Sequence, residues 1–394
     1  MGICNASRVE VNNVINSVNK SPSSNNNTYK LNGSTTIENM GTSINTPQKI
    51  IKANKIIKKY KKKKAEEDLI DEEFNSDNYF NNNNKKYISV ITKKSNINND
   101  YIIHYDKILG HGLTSKVYLA NKIIKNNNES SSDENNNSDK NKNYAIKIIN
   151  KKTYNNNNLL QNEILITLFL NHPNIVKTYE IFEDEENIYF VMEYIKGLTL
   201  GNFILKYKLN MKMIKQLLFQ ILYSISYLHN QIKICHRDLK SNNIMVYFDK
   251  NKNIKIKIID FGFSCYINNN NKMNEILGTI NYSAPELLKG LSYNHKIDIW
   301  SIGIILIDML LGYNYYENKY NEYVKNNNNN DKDNINQNKF RYLKNLILNE
   351  IINFDEITND ENLKNLLILF LNKNPKYRIN AIDALDYIDK INFD

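Results

Sequence analysis

The chain has 394 residues, of which 41% are hydrophobic and 24% charged, and a formal net charge of +10. This hydrophobic share allows a sizeable core and excludes a wholly disordered chain. The positive charge is compatible with nucleic acid or an anionic membrane. However, the lysines cluster in one segment without a nucleic-acid-binding motif, so we expect no nucleic-acid partner.

The cysteines and the hydropathy of the sequence indicate the cellular compartment in which the protein resides. Cys4, Cys235 and Cys265 form neither a Cys-x-x-Cys pair nor an even-numbered framework, which is typical of free thiols in a reducing compartment. No apolar run reaches transmembrane length, and the first residues lack the long apolar core of a secretory signal. We therefore expect a cytoplasmic protein.

Residues 1–100 are rich in Asn, Ser and Lys. They offer too little apolar area to offset the entropy of ordering, which predicts a largely disordered N-terminal arm. From residue 101 the pattern becomes periodic. Short β-like runs predict a small sheet-rich lobe over about residues 101–193, and helical periodicity predicts a larger helical lobe over about 196–390. The β-like runs are 102–109, 116–120, 144–149, 178–182 and 188–192, and the helix-like runs are 159–170, 213–229, 297–311 and 340–348.

Two features of the N-terminal arm indicate attachment to a membrane. The opening residues are similar to an acylation start, with myristate on Gly2 and palmitate on Cys4, although Ala6 stands where Ser or Thr is preferred. Residues 48–64 carry apolar side chains at helical spacing among lysines, which predicts a basic amphipathic segment. We expect peripheral attachment to an anionic surface at the inner face of the plasma or another membrane. A solvated lysine run or a nuclear-localisation signal is the alternative.

Asparagine-rich runs interrupt the globular part. We interpret them as surface loops, because loop-closure entropy rises slowly with length. They occupy 126–143, 155–158, 268–271 and 326–338.

The first chemical motif is a glycine pair between two predicted strands. Such glycines let backbone N–H groups approach phosphate oxygens, although most isolated pairs are ordinary turns. The motif reads Leu109-Gly110-His111-Gly112-Leu113-Thr114-Ser115-Lys116-Val117.

The second motif places Lys147 inside the apolar run that begins at Ala145. Taken alone, such a lysine commonly reaches solvent at a sheet edge. After a glycine turn, it predicts a phosphate anchor of the Val-Ala-Ile-Lys type. Glu163, on the following predicted helix, is the expected anionic partner.

The third motif, residues 235–243, is the most specific: Cys-His-Arg-Asp-Leu-Lys-Ser-Asn-Asn. Phosphoryl transfer requires positioning more than covalent chemistry. Asp238 is the candidate base for a substrate hydroxyl, and Lys240 the candidate cation for the transferring phosphoryl group. Asn243 is a candidate Mg²⁺ ligand, since Mg²⁺ prefers oxygen donors.

The fourth motif is Asp260-Phe261-Gly262, which follows a β-like run. Its carboxylate suits a Mg²⁺ ligand that bridges two phosphates of ATP. Just upstream, Asp249, Asn251 and Asn253 have the spacing of a Ca²⁺ loop. Ile254 stands where that loop needs glycine, so we predict a hairpin turn instead.

Four further residues are uninformative one by one, but their order along the chain is informative: Thr279, Glu286, Asp298 and Arg378. In that order they resemble the substrate platform of a protein kinase. The resemblance implies that Glu286 pairs with Arg378, in the bidentate manner common for buried arginines, and that Asp298 holds the backbone of the catalytic loop.

At this point residues 101–390 resemble the eukaryotic protein kinases. The resemblance implies an α+β, two-lobed protein-kinase fold, with a helix beside the small sheet and ATP in the cleft. It also implies the nucleotide-binding set Leu109, Gly110, His111, Gly112, Ser115, Val117, Ala145, Lys147, Met192, Glu193 and Ile195.

Lys240, two positions after Asp238, is similar to the Ser/Thr class. Residues 292–306 and the long interval between Asp238 and Asp260 resemble the calcium/calmodulin-dependent group, including the calcium-dependent kinases of plants and apicomplexan parasites. No Asp-x-Asp-x-Asp-Gly loop occurs, so we expect no built-in calcium sensor.

Two departures from that group concern substrate choice. Ser241-Asn242 replaces the usual Pro-Glu, and Thr199 lies near the position of an acidic residue after the interlobe link. In the relatives those acids read basic residues of the substrate, so the same preference does not follow here.

The resemblance also implies that Arg237 binds a phosphorylated activation loop. The loop, residues 264–282, offers Ser264 and Thr279, and we hypothesise that Glu275 substitutes as a fixed charge.

Together these motifs predict a monomeric Ser/Thr kinase that uses ATP and Mg²⁺ on a protein substrate. The alternative is a pseudokinase or scaffold protein. That alternative would require the loss of Lys147, Asp238, Asn243 or Asp260, and all four are present.

Overall fold

The computed structural model describes residues 92–112, 115–124, 142–152, 157–267, 273–327 and 335–391. The predicted acylation sites Gly2 and Cys4 and the basic segment 48–64 lie outside the described residues.

The smaller lobe is built on a five-stranded antiparallel sheet in the order β1-β2-β3-β5-β4. Its strands are β1 Tyr101–His111, β2 Ser115–Lys122, β3 Asn143–Asn150, β4 Thr178–Glu183 and β5 Asn187–Glu193. Helix α1, Asn157–Phe169, connects β3 to β4. Its Ile164 shares an apolar cluster with Ile149 and Phe190 of the sheet. Branched and aromatic side chains dominate these strands, as a pleated, half-buried surface favours.

Lys93 adds a short bridge to this sheet before β1 begins, and a 3-10 helix follows at Ile97–Asn99. The backbone of Lys93 donates to the carbonyl of Ile181 over 2.8 Å and accepts from the N–H of Glu183 over 2.9 Å, which forms a parallel bridge to β4. Ile97 is buried. The folded lobe therefore begins ahead of the predicted boundary at residue 101.

The larger lobe is mainly helical and is organised around one central helix. Its helices are α2 Leu200–Lys206, α3 Met211–Ser226, α4 Pro285–Leu288, α5 Lys296–Leu311, α6 Tyr315–Asn327, α7 Ile335–Asn349, α8 Glu361–Phe370 and α9 Ala381–Lys390. Every residue of α5 from Ile297 to Met309 is buried, as expected for a helix that is apolar on all faces. The predicted α+β, two-lobed fold is confirmed.

Two small sheets frame the catalytic loop. One pairs β6 Leu198–Thr199, β8 Ile244–Phe248 and β9 Ile254–Ile258, and the other pairs β7 Ile234–Cys235 with β10 Cys265–Tyr266. Asp249 Oδ1 accepts from the backbone N–H groups of Asn251 and Asn253, each over 2.9 Å, in the turn between β8 and β9. The predicted hairpin is confirmed.

The asparagine-rich run 326–338 is helical at both ends, so the prediction of a loop throughout was wrong there. Helix α6 continues to Asn327 and α7 begins at Ile335. The ring of Tyr342 on α7 lies 5.8 Å from that of Tyr320 and 4.2 Å from that of Tyr323, both on α6 (centroid distances). This packing outweighs the weak helix propensity of asparagine.

Within the described ranges, no helix by itself has the length and apolar character needed to cross a membrane. Helices α5 and α6 meet that criterion only as a pair bent by 69°, and α5 forms the core of the larger lobe.

Candidate active site

The two glycines of the first motif lie at the end of β1, on the strand next but one to that of Lys147. Gly110 pairs with Val117 across β1 and β2, and the N–H of Gly112 donates to the carbonyl of Ser115 over 2.8 Å. Val117 is in turn the cross-strand partner of Lys147 on β3. The register of the three strands therefore brings the glycine backbone to the same end of the sheet as the lysine.

The remaining predicted nucleotide-binding residues lie on the strands around these glycines and at the interlobe link. Leu109 and His111 are exposed on β1, and Ala145 on β3 pairs with Met192 on β5. The carboxylate of Glu193 accepts from the N–H of Lys177 over 2.8 Å and pairs with Lys257 at 2.7 Å. Ile195 packs against the core of the larger lobe. The side chain of Glu193 thus braces the link.

Lys147 lies between two carboxylates that come from different parts of the fold. Its Nζ is 2.6 Å from Glu163 Oε1 on α1 and 2.8 Å from Asp260 Oδ1 after β9. Burial alone would lower the pKa of Lys147, but Asp260 and Glu163 outweigh it and raise the pKa. Burial would likewise raise the pKa of Asp260, but Lys147 lowers it to about 2. The lysine is therefore held in its charged form between the two carboxylates.

Asp238 is held by donors at both carboxylate oxygens. Thr279 Oγ1 donates to Oδ1 over 2.8 Å, while Lys240 Nζ and Asn243 Nδ2 donate to Oδ2 over 2.7 and 3.1 Å. Lys240 also donates to Thr279 Oγ1 over 2.9 Å. Gly278 has φ +102°, and a Cβ there would lie 2.6 Å from the carbonyl oxygen of Arg237, so only glycine brings Thr279 this close.

The donor set fits the Mg²⁺ that the family resemblance implies. Asn243 directs its amide nitrogen to Asp238, with a second bond to the Asp238 carbonyl over 2.9 Å, so its carbonyl oxygen is available as a ligand. The Asp260 side chain is 46% exposed, and oxygen donors are what Mg²⁺ prefers. The N–H of Gly262 donates to Asp260 Oδ1 over 3.3 Å, and the buried ring of Phe261 packs on His236.

Asp298, in the first turn of α5, fixes the backbone before Asp238. Its carboxylate accepts from the N–H groups of His236 and Arg237 over 2.8 and 3.0 Å and from His229 Nε2 over 2.8 Å. Burial would raise the pKa of Asp298, but these donors, His229 first among them, lower it to about 2. His229 carried no recognisable motif and was missed from sequence, because only the fold brings it to Asp298.

Arg237 meets the activation loop at Glu275. Its backbone has φ +66°, and its buried guanidinium donates from Nε to the carbonyl of Phe263 over 2.5 Å and from Nη1 to Glu275 Oε2 over 2.7 Å. Ser264 is fully buried, and its hydroxyl donates to the carbonyl of His236 over 3.4 Å. The carboxylate of Glu275 thus links the activation loop to Arg237 of the catalytic loop.

Glu286 and Arg378 form the bidentate pair expected from sequence. Arg378 Nη1 and Nη2 donate to the two Glu286 oxygens over 2.6 and 2.9 Å, and both residues are buried. The guanidinium also donates to the carbonyls of Asn372 and Lys296 and lies 5.3 Å from the Trp300 ring. Together these contacts join α4 to α5 and to the loop before α9.

Ser241, one of the departures from the family pattern, belongs to a buried network that sequence did not reveal. Its Oγ lies 2.8 Å from the hydroxyl of Tyr282, which donates to Asp308 Oδ2 over 2.9 Å. Burial raises the pKa of Asp308 to about 7. Of the other departures, Thr199 caps α2 by accepting from the N–H of Asn202, and Asn242 is exposed.

Comparisons with known proteins cover most of the described fold. The family model described as "Protein kinase domain" matches residues 103–387. Calcium-dependent protein kinase 5 of Plasmodium berghei is 42% identical over 179 residues, which is 45% of this chain and 31% of that protein. The SNF1-related protein kinase catalytic subunit alpha KIN12 of Arabidopsis thaliana is 36% identical over 210 residues, 52% of this chain and 38% of that protein. The matched region thus spans about a third of the relatives' length.

The Asp298 geometry predicts a pH-dependent loss of stability. We expect Asp298→Asn to lower the free energy of unfolding by about 2–3 kcal/mol, because hydrogen bonds to a buried charge are lost. The folded-state pKa of about 2 lies below the ordinary value of 3.8. The stabilisation is therefore complete above about pH 4 and is lost as the pH falls from there toward about 2.

Urea denaturation of both proteins across this range measures the effect, with Asp386→Asn, an exposed carboxylate on α9, as the control. The difference between wild type and Asp298→Asn should narrow on acidification. A difference that stays constant down to the acid limit of folding would contradict the assignment.

Proposed function

Because the chain belongs to the protein kinase family, we propose that it transfers the γ-phosphoryl group of ATP to serine or threonine hydroxyls of protein substrates. Two groups of contacts carry the proposal: a charged lysine held between Glu163 and Asp260, and an aspartate held by Thr279, Lys240 and Asn243. A backbone hydrogen bond of 2.8 Å from Ile259, next to Asp260, to the carbonyl of Asn243 links the two groups. Such a constellation positions reactants, and positioning is the main demand of phosphoryl transfer.

Each residue has a distinct task in this proposal. Lys147 binds phosphate oxygens, and the glycine turn adds backbone N–H groups. Asp238 orients the substrate hydroxyl and accepts its proton, while Lys240, bonded to Asp238, offsets negative charge at the transferring group. Asp260 and Asn243 would hold Mg²⁺, which supplies charge neutralisation on the phosphates when bound.

The alternative, a pseudokinase that only binds partners, has less support. Lys147, Glu163 and Asp260 are in contact, as are Asp238 and Asn243. The two functions differ in one measurement, because a pseudokinase would bind nucleotide without turnover.

We predict that Asp238→Ala lowers kcat for ATP-dependent phosphorylation of a generic protein by about 10²–10⁴-fold, since the hydroxyl loses its base. Nucleotide affinity should change little, because the side chain of Asp238 is bonded to Thr279, Lys240 and Asn243 rather than to Lys147. Phosphate transfer with Mg²⁺ is the measurement, and Asp386→Ala, exposed on α9, is the control. Equal turnover by wild type and Asp238→Ala would refute the mechanism.

Regulation of this site follows from the contact between Arg237 and Glu275. We propose that Glu275 takes the place of a loop phosphate, so that the activation loop is held without phosphorylation. The charge lies 2.7 Å from a buried guanidinium, which is the short separation expected of a charge-assisted bond.

Glu275→Gln should lower kcat/KM about fivefold, equivalent to roughly 1 kcal/mol for a partly exposed ion pair. Glu275→Asp should keep more activity than the glutamine variant, and Glu185→Gln, on the exposed β4–β5 turn, should be unaffected. Steady-state kinetics on unphosphorylated protein measures this. Stoichiometric phosphorylation of Thr279 or Ser264 that tracks activity would overturn the fixed-charge hypothesis.

We also propose that the enzyme acts in the cytoplasm at the inner face of a membrane, anchored through the N-terminal arm. The support is sequence alone: Gly2, Cys4 and the lysines of 48–64. One myristate gives marginal binding, and a second chain or a basic segment makes it stable. Each lysine near an anionic surface adds about 1 kcal/mol.

Gly2→Ala should move the protein from the membrane fraction to the soluble fraction, because the variant cannot accept myristate. Cell fractionation measures the shift, with Ser7→Ala as a variant that keeps Gly2 and Cys4. An unchanged distribution for Gly2→Ala would exclude an acyl anchor.

A further inference from the structure

A cleft away from the active site lies between α6 and α7 in the larger lobe. It has a volume of about 260 Å³ and is lined by Lys319, Glu322 and Tyr323 of α6, by Tyr342 of α7 and by Glu350, which directly follows α7. The backbone N–H of Glu350 donates to the carbonyl of Leu346 over 2.9 Å, which holds Glu350 against the end of α7. None of these residues contributes to the phosphoryl-transfer site.

The wall of the cleft is aromatic and ordered by packing. The rings of Tyr323 and Tyr342 stack at a centroid distance of 4.2 Å and an interplanar angle of 23°. The buried ring of Tyr320 lies 5.8 Å from that of Tyr342, and the buried side chain of Leu346 also lines the cleft. Aromatic faces carry negative electrostatic potential and attract cations, so the wall offers a rigid surface for a cationic group.

Two carboxylates border the same cleft, and within the described part of the chain neither forms an ion pair. Among the described residues, Glu322 accepts a neutral hydrogen bond from Asn318 over 2.8 Å. Lys319, which lines the cleft, and Lys373, which lies beside it, have other contacts. Lys319 Nζ lies 5.7 Å from the centroid of the Tyr315 ring, and Lys373 donates to the backbone carbonyls at the end of α7, that of Glu350 included.

Both carboxylates are exposed to solvent at the rim of the cleft. Burial raises the pKa of the Tyr342 hydroxyl, and the charges of Glu350 and Glu322 raise it further. Negative charge at the cleft therefore acts on the aromatic wall at Tyr342.

We propose that this cleft binds an arginine side chain presented by a basic segment of a protein partner. A guanidinium is planar, stacks on aromatic rings and pairs with carboxylates, which matches both features of the cleft. Small-molecule sites usually enclose roughly 300–1,000 Å³, so a volume of about 260 Å³ suits one long side chain. Ile351, next to Glu350, is 90% exposed and offers an apolar contact to the peptide around the arginine.

The test is direct binding without nucleotide, so its outcome is independent of whether the protein is an active kinase. The probe is a fluorescein-labelled peptide of Gly-Ser-Arg repeats, compared with the same peptide carrying citrulline, which is neutral but nearly isosteric. Fluorescence anisotropy at physiological ionic strength gives the affinities. Wild type should bind the arginine peptide at least about tenfold more tightly than the citrulline peptide.

The double variant Glu322→Gln/Glu350→Gln should lose about the same tenfold, while Tyr342→Phe, which keeps the ring, should retain binding. The matched control is Glu185→Gln/Asp386→Asn, which removes two exposed carboxylates elsewhere and should bind as wild type does. Equal affinity for the two peptides would overturn the proposal. So would an equal loss in the matched control, because the effect would then reflect overall charge.

Discussion

The active site depends on one buried carboxylate that connects the catalytic loop to the core of the larger lobe. Asp298 lies in the first turn of α5, which is buried from Ile297 to Met309, and its carboxylate accepts from the backbone N–H groups of His236 and Arg237. That contact fixes the loop in which Asp238 stands and keeps Arg237 at a positive φ. The same contact acts indirectly on two further parts of the site, because Arg237 positions the activation loop and Asp238 positions Thr279. The catalytic loop is therefore held in place by a carboxylate that is itself buried.

Much of this arrangement could be predicted from sequence, because each chemical role is carried by a short motif. The strand periodicity around Lys147 and the helical periodicity around Glu163 placed them on neighbouring elements, and their charges made the pairing favourable. Glu286 and Arg378, 92 positions apart, could be paired only through the family resemblance. The contact between Arg237 and Glu275 was hypothesised from sequence, because the resemblance implies that Arg237 binds an anion of the activation loop.

The rest could not be predicted, because it depends on tertiary packing without a local signature. Tyr282 and Asp308 are unremarkable in sequence, yet burial joins them to Ser241 in one network. The asparagine-rich run between α6 and α7 has the composition of a loop, and only the contact among distant tyrosines makes its ends helical. His229 likewise acquires its role only when the fold places it against Asp298.

The bridge that Lys93 forms with β4 affects the tendency of the protein to aggregate. β4 is an outer strand of the small sheet, and outer strands with open backbone groups invite pairing between molecules. By bonding to Ile181 and Glu183, Lys93 occupies part of that edge. The segment thus leaves fewer backbone groups of β4 open to pairing with a strand of another molecule. A recombinant fragment cut at the start of the family match would leave the edge uncovered, so the natural place to begin such a fragment is upstream of Thr92.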